Sequence, residues 1–284
     1  MSRVLVAMAL LILLAGLAGC VTSDTLIKLN PDGSGLIVQK TLMKTEMIAQ
    51  LRVMMEGMAG QMAGGSAGTS DLKTPAIFGE KEAQAKAATM GAGVTYVASC
   101  KLKTEKMEGI EASYAFRDVT QLRLSEKPEP PSLAGLQGVS SSKSGETMFR
   151  FSRLPNGHSR LTAIFAKSTP AEPAVTESFT VSKESPEVDP EQLEQAKRMF
   201  DGLRIGMQIE VQGNLIKTNS PHQEGSTVTL MEMDFSQLLS NEALLSQMAA
   251  TKGQSFDEAK ELLKGLKGFK VNLDPEVTIE FSGR

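Results

Sequence analysis

The sequence predicts an α+β fold: a mostly antiparallel sheet built from hairpins, helices packed on one face, and long loops rich in Pro, Gly and Ser. Three observations carry that prediction. Short runs of alternating apolar and polar residues recur along the chain, the mark of half-buried strands. Two pairs of these runs flank Asp32-Gly33 and Asn156-Gly157, dipeptides that close tight hairpins. Helical stretches fall between groups of strands instead of alternating strictly with them, which places helices on one side of an antiparallel sheet.

The elements follow in order. Thr25 to Asn30 alternates, Pro31-Asp32-Gly33-Ser34-Gly35 turns the chain, and Leu36 to Leu42 returns. Lys44 to Met62 is a helix. Its Met47, Leu51, Met54, Met55, Met58 and Met62 recur at i, i+4, i+7, i+8, i+11 and i+15, one helical face. Gly57 and Gly60 weaken its second half by ~1 kcal/mol each. Gly64 to Ser70 is a linker by composition. Glu80 to Met90 is a second helix, stopped by Gly91. Val94 to Lys103 and Ile110 to Phe116 are strands, the second alternating Ile110, Ala112, Tyr114, Phe116.

Met148 to Leu154 and Arg160 to Lys167 form the second hairpin. Asp189-Pro190 opens a helix to about Gly202, Asp capping free donors and Pro suiting the first turn. Strands follow at Ile205 to Val211, Gly213 to Lys217 and Ser226 to Met233. Asp234 and Gln237 are spaced as a capping box for a helix to Thr251. Ser255 and Glu258 start another, to about Leu266, and Val277 to Phe281 closes the chain as a strand. Flexible insertions are expected at about 64–75, 126–145 and 168–188, longer than loops in a compact domain usually run.

Composition narrows the function. Apolar residues make up 41% of the chain, enough for a real core. There are 30 basic and 33 acidic residues, and no basic stripe of the kind a nucleic-acid binder shows. With no Trp and only two Tyr, a stacking platform for sugars is not expected.

Residues 1–19 read as a cleaved leader: Arg3 gives a positive start, Val4 to Leu14 is apolar, and small residues precede Cys20. The run is too short for a membrane span, which takes ~20 apolar residues. Leu17-Ala18-Gly19-Cys20 resembles the lipobox of bacterial lipoproteins. That resemblance implies diacylation of the Cys20 sulfur, cleavage before it, and acylation of the new amine. Two or three acyl chains hold a protein firmly where one is marginal. Residues 20–284 are then one mature periplasmic domain on a tether. Val21 after the Cys implies, by the family's sorting habit, the outer membrane. Lipidation leaves Cys100 without a disulfide partner. Its strand reading, with Tyr96, Ala98 and Cys100 on one face, predicts a buried thiol.

Two further stretches resemble the LppM-type domain of bacterial envelope lipoproteins, and lipoproteins of similar length. They are Leu29-Asn30-Pro31-Asp32-Gly33-Ser34-Gly35 and Val211 to Asn219 followed by Gly225-Ser226-Thr227-Val228-Thr229-Leu230. Leu230 stands where that family often has Trp. The resemblance implies an envelope role with lipid or glycolipid contact, and carries over no catalytic residue.

A search for chemistry returns little. His158 and His222 sit in loops, without the convergent ligands a metal site needs. There is no Gly-x-Ser-x-Gly elbow, and no phosphate loop leading to Lys-Ser or Lys-Thr. Neither metal nor cofactor is expected. The Met47 to Met62 stripe is either core or a face for acyl chains or an apolar protein segment, since flexible thioethers suit both. The sequence therefore predicts a lipid-anchored, non-catalytic envelope protein that binds lipid or an apolar partner. The alternatives are an assembly subunit of an envelope complex and a hydrolase of unrecognised type.

Overall fold

The computed structural model describes residues 21–62, 77–125, 146–165, 202–240, 266, 268–272 and 274–283, with the backbone alone for 54–62 and 238–239. Two sheets dominate them. The first has eight strands. It contains β1 (Val21–Leu29), β2 (Gly35–Lys44), β3 (Thr95–Lys103), β4 (Met107–Phe116), β8 (Arg204–Val211), β10 (Gln223–Glu224), β11 (Thr227–Asp234) and β12 (Phe269–Val271). Its order is β10-β11-β8-β1-β2-β4-β3, with β12 also on β11. The second has five strands, β5 (Arg123–Ser125), β6 (Glu146–Arg153), β7 (Ser159–Ile164), β9 (Asn214–Thr218) and β13 (Glu276–Ser282), ordered β5-β6-β7-β13-β9. β1 and β8 pair in parallel.

The main core lies between these sheets. Ile27, Ile37, Tyr114 and Ile209 of the first sheet and Leu161, Ile279 and Phe281 of the second are at most 1% exposed and form one cluster. Large side chains on both inner faces cover each other, as in sheet-on-sheet packing. The Asp-Gly turn fastens the sheets together. The Ser159 hydroxyl donates to Pro31 O at 2.7 Å, and Val119 N–H donates to Gly33 O at 2.9 Å.

This corrects the expected fold class. The protein is mostly β, and it is not helices packed on one face of a sheet. The described α-helices are α1 (Thr45–Met62), α2 (Glu80–Ala87) and α3 (Phe235–Leu239). From α2 only Ala83 and Ala87 join the main core, side chains too small to cover a sheet. α1 packs at one end, where Ile48 and Leu51 meet Val21, Met43 and Ile77 in a separate cluster. Strand alternation reports that one face is buried without reporting what buries it. The helices expected over 189–202, the rest of 234–251, and 255–266 lie outside the described residues, as do all three expected insertions.

The hairpins at Asp32-Gly33 and Asn156-Gly157 form, joining β1 to β2 and β6 to β7. Cys100 is a second correction: it is exposed. The β3–β4 register shifts between Tyr96 and Ala98, so Val97 bulges. Beyond the bulge Ser99 stands opposite buried Ala112 and Cys100 opposite Glu111. The extra residue swaps the faces of the strand, as a bulge does.

Candidate functional site

The inner face of the first sheet is larger than the second sheet can cover. Beyond the main core, β1 and β2 present Ser23, Thr25, Gln39 and Thr41 on that face, in register with one another as Thr25↔Gln39 and Ser23↔Thr41. α2 crosses above them. It forms there because Glu80 to Ala87 is rich in Ala, Glu and Lys, strong helix formers, with Glu80 and Glu82 in its first turn and Lys86 in its last suiting the helix dipole. Two small side chains, Ala83 and Ala87, let it approach the sheet closely.

Between helix and sheet lies a cavity of about 210 Å³. Ile77, Phe78, Ile110, Ala112 and Tyr114 give it apolar walls, and Gln39 and Thr41 a polar strip of floor. Tyr114 is 1% exposed, and the Tyr96 ring packs edge-on against it with centroids 6.2 Å apart. The Tyr96 and Ser99 hydroxyls are 2.8 Å apart, which holds that ring beside the bulge. A second cavity of about 40 Å³ lies on the far side of Gln39, Lys86 and Thr89, which line both. The two make one trough under α2. At under the ~300 Å³ of a drug-sized pocket, it suits a slender ligand.

The residues singled out from sequence stand elsewhere. Leu17, Ala18, Gly19 and Cys20 lie outside the described residues. In α1, Leu51 is 4% exposed and packs inward, but its buried neighbour is Ile48, with Met47 only partly buried beside them. Met54, Met55, Met58 and Met62 lie within α1, their side chains outside the described set. No described residue of α1 lines the trough. Sequence reading missed the trough-lining residues because Ile77 and Phe78 belong to no periodic run. Only the alternation of Ile110, Ala112 and Tyr114 signalled an inner face.

The two histidines do not meet. His158 Nδ1 lies 2.9 Å from Glu280 Oε1, and Arg160 Nη2 lies 3.2 Å from Glu280 Oε2. These hydrogen bonds hold the Glu280 carboxyl below its ordinary range. His222 is in the loop before β10, its carbonyl accepting from Thr229 N–H. Among the described residues no three His, Cys, Asp or Glu converge as metal ligands. On the outer face of the first sheet Arg204 sits between Asp24 at 3.8 Å and Glu232 at 3.4 Å, and Lys270 reaches Glu232 at 2.9 Å. Burial raises the Asp24 carboxyl against the opposing pull of Arg204 and Lys40. Among the described helices none is long and apolar enough to cross a membrane. Compared with family models, with curated proteins and with solved structures, the chain finds no match.

Proposed function

We propose that this chain is a lipid-anchored, non-catalytic protein of the bacterial envelope that binds an apolar ligand in the trough beneath α2. One observation carries the ligand half of the reading: an apolar cavity of about 210 Å³ lies between α2 and the inner face of the first sheet, walled by Ile77, Phe78, Ile110, Ala112 and Tyr114. A concave apolar pocket with a few convergent polar groups is the default binding site of a fold. The anchor half rests on the lipobox at Leu17 to Cys20, and the turn motifs shared with LppM-type domains support an envelope setting. Protein purified from its own membrane, extracted and analysed by mass spectrometry, should carry a small apolar molecule that Thr41→Phe displaces. Wild-type protein free of such a molecule, and unable to take up any acyl probe, overturns the reading.

The assembly-subunit alternative has its own support. Val97 on β3 is 54% exposed and Ile216 on β9 is 51% exposed, and both strands are sheet edges. Edge strands offer unpaired backbone groups to a partner chain. A stable complex that survives Thr41→Phe but not Val97→Lys would favour that alternative.

A further inference from the structure

Resting on the trough being a ligand site, we propose the class of its ligand: a single-chain amphiphile whose small head is uncharged and bears hydroxyls, in the manner of a glycerol monoester. On the inner face of the first sheet Ser23, Thr25, Gln39 and Thr41 form a block two residues by two, paired as Ser23↔Thr41 and Thr25↔Gln39. Apolar pairs close the block at both ends along the strands. Val21↔Met43 are 4% and 2% exposed, and Ile27↔Ile37 are both 0% exposed. Apolar neighbours also flank it across the strands, Ile205 and Met207 from β8 and Ile110 and Ala112 from β4.

None of these four side chains makes a hydrogen bond to another described residue, although Ser23 is only 9% exposed. Ser23, Thr25 and Gln39 line the smaller chamber, and Gln39 and Thr41 the larger, so all four open on the trough. A polar group in apolar surroundings is costly unless it is hydrogen-bonded. The block therefore suits the polar end of a ligand. It offers three hydroxyls and a carboxamide, each able to donate and to accept, and none charged. The charged residues of the lining do not choose a sign. Glu82 and Lys86 are opposite, Lys86 has a partner of its own, and Arg123 Nη1 donates to the Thr120 and Leu122 carbonyls. Paired strands lie about 4.8 Å apart and alternate residues about 6.7 Å apart, so the block spans a head of two or three carbons. The chain then lies against Ile77, Phe78, Ile110 and Tyr114 in the larger chamber.

The test titrates the whole protein with decanoylglycerol, decanol, decanoate and glycerol below their aggregation limits. Decanoylglycerol should bind at least about tenfold more tightly than decanol, the factor that two further neutral hydrogen bonds give. It should also bind more tightly than decanoate, and glycerol should bind far more weakly than any of the three. Added salt should leave decanoylglycerol binding unchanged, a readout that needs no variant. Thr25→Val with Gln39→Met should bring decanoylglycerol and decanol to near parity. The ligand-free variant should melt no lower than the unaltered protein, because it removes polar groups that have no partner. A preference for decanoylglycerol that survived in this variant would overturn the inference. Equal binding of decanoylglycerol and decanol to the unaltered protein, or tighter binding of decanoate, would overturn it while leaving the apolar-ligand reading intact. Glycerol binding as tightly as decanoylglycerol would overturn both, and so would failure of all four probes.

Discussion

Gly35 lies opposite Phe116 in the β2–β4 ladder, with the Phe116 ring laid over its Cα. A Cβ at Gly35 would fall 2.6 Å from Phe116 Cζ and 2.1 Å from Lys28 O. The ring could turn, but the Lys28 carbonyl belongs to the β1–β2 ladder and cannot. The neighbouring Gly33 has φ +91° and its Cα faces the Phe151 ring of the second sheet. The Asp-Gly-Ser-Gly turn is thus the point where both sheets close over one loop.

Gly35→Ala should therefore cost on the order of 3 kcal/mol, the upper end for overpacking a filled site. Gly157→Ala, with φ +81° but nothing within 4 Å of its Cβ, should cost clearly less. Chemical denaturation of the two variants checks the ranking. Equal costs would mean that the close approach at Gly35 does not matter.

Cys100 should react with a bulky thiol reagent in the folded protein at a rate near that of a free thiol. It is exposed on an edge strand, and the Val97 bulge turns it away from the core. Labelling that waits for unfolding would place it back inside.

Of this site only one inner sheet face could be read in the sequence, and the reasons for the rest are specific. Ile110, Ala112, Tyr114 and Phe116 announce an inner face because strand alternation is local. That Phe281 and Leu161 pack against part of it, and that α2 lies over the trough beside them, are facts about residues far apart in the chain. The Val97 bulge changes every side assignment after it, yet Thr95 to Lys103 contains no Gly or Pro to announce it. On α1, among the described side chains, Ile48 at 2% exposed lies deepest beside Leu51 of the expected face at 4%, and the later Met positions lie outside the described side chains.

Asp24 should destabilise the fold at neutral pH. Burial raises its carboxyl above the ordinary value of 3.8, so the folded state holds its proton more tightly than the unfolded chain does. For a raised carboxylate the penalty is fully present above the folded value and fades as pH falls through it. Asp24→Asn should thus raise Tm at pH 7 and lose its advantage on acidification toward the unfolded value. Asp32 should act in the opposite sense. Hydrogen bonds from Ser34 lower its carboxyl, giving stability present above the unfolded value and lost as pH falls through the folded one. Asp24→Asn lowering Tm at pH 7, with the loss fading on acidification, would show that the Arg204 contact outweighs burial.

Cys20→Ala should abolish incorporation of radiolabelled palmitate and leave a precursor longer than the mature chain. Under the proposed lipobox reading, a thiol must form the thioether before cleavage can follow. A chain joined to a cleavable secretory leader at Val21 should then leave the membrane in a high-salt wash. Continued pelleting would require a second anchor.

The last prediction separates core from ligand face on α1. Leu51 is 4% exposed and packs with Ile48, Met43, Val21 and Ile77, and Met47 and Phe78 pack against that cluster from its edge. This cluster closes the end of the sheet where β1 begins, and Ile77 belongs both to it and to the wall of the trough. Leu51→Ala should cost about 2–5 kcal/mol, as for a buried Leu whose site cannot fully collapse. Met47→Ala should cost less, and Val53→Thr, at a position 70% exposed, should change stability by no more than about 0.5 kcal/mol. Because Ile77 is shared, Leu51→Ala should also loosen the trough and weaken an acyl probe, whereas Val53→Thr should leave binding untouched. If Met47→Ala abolished binding at no cost in stability, the Met stripe would be the ligand face after all, and α1 rather than α2 would form the roof of the site.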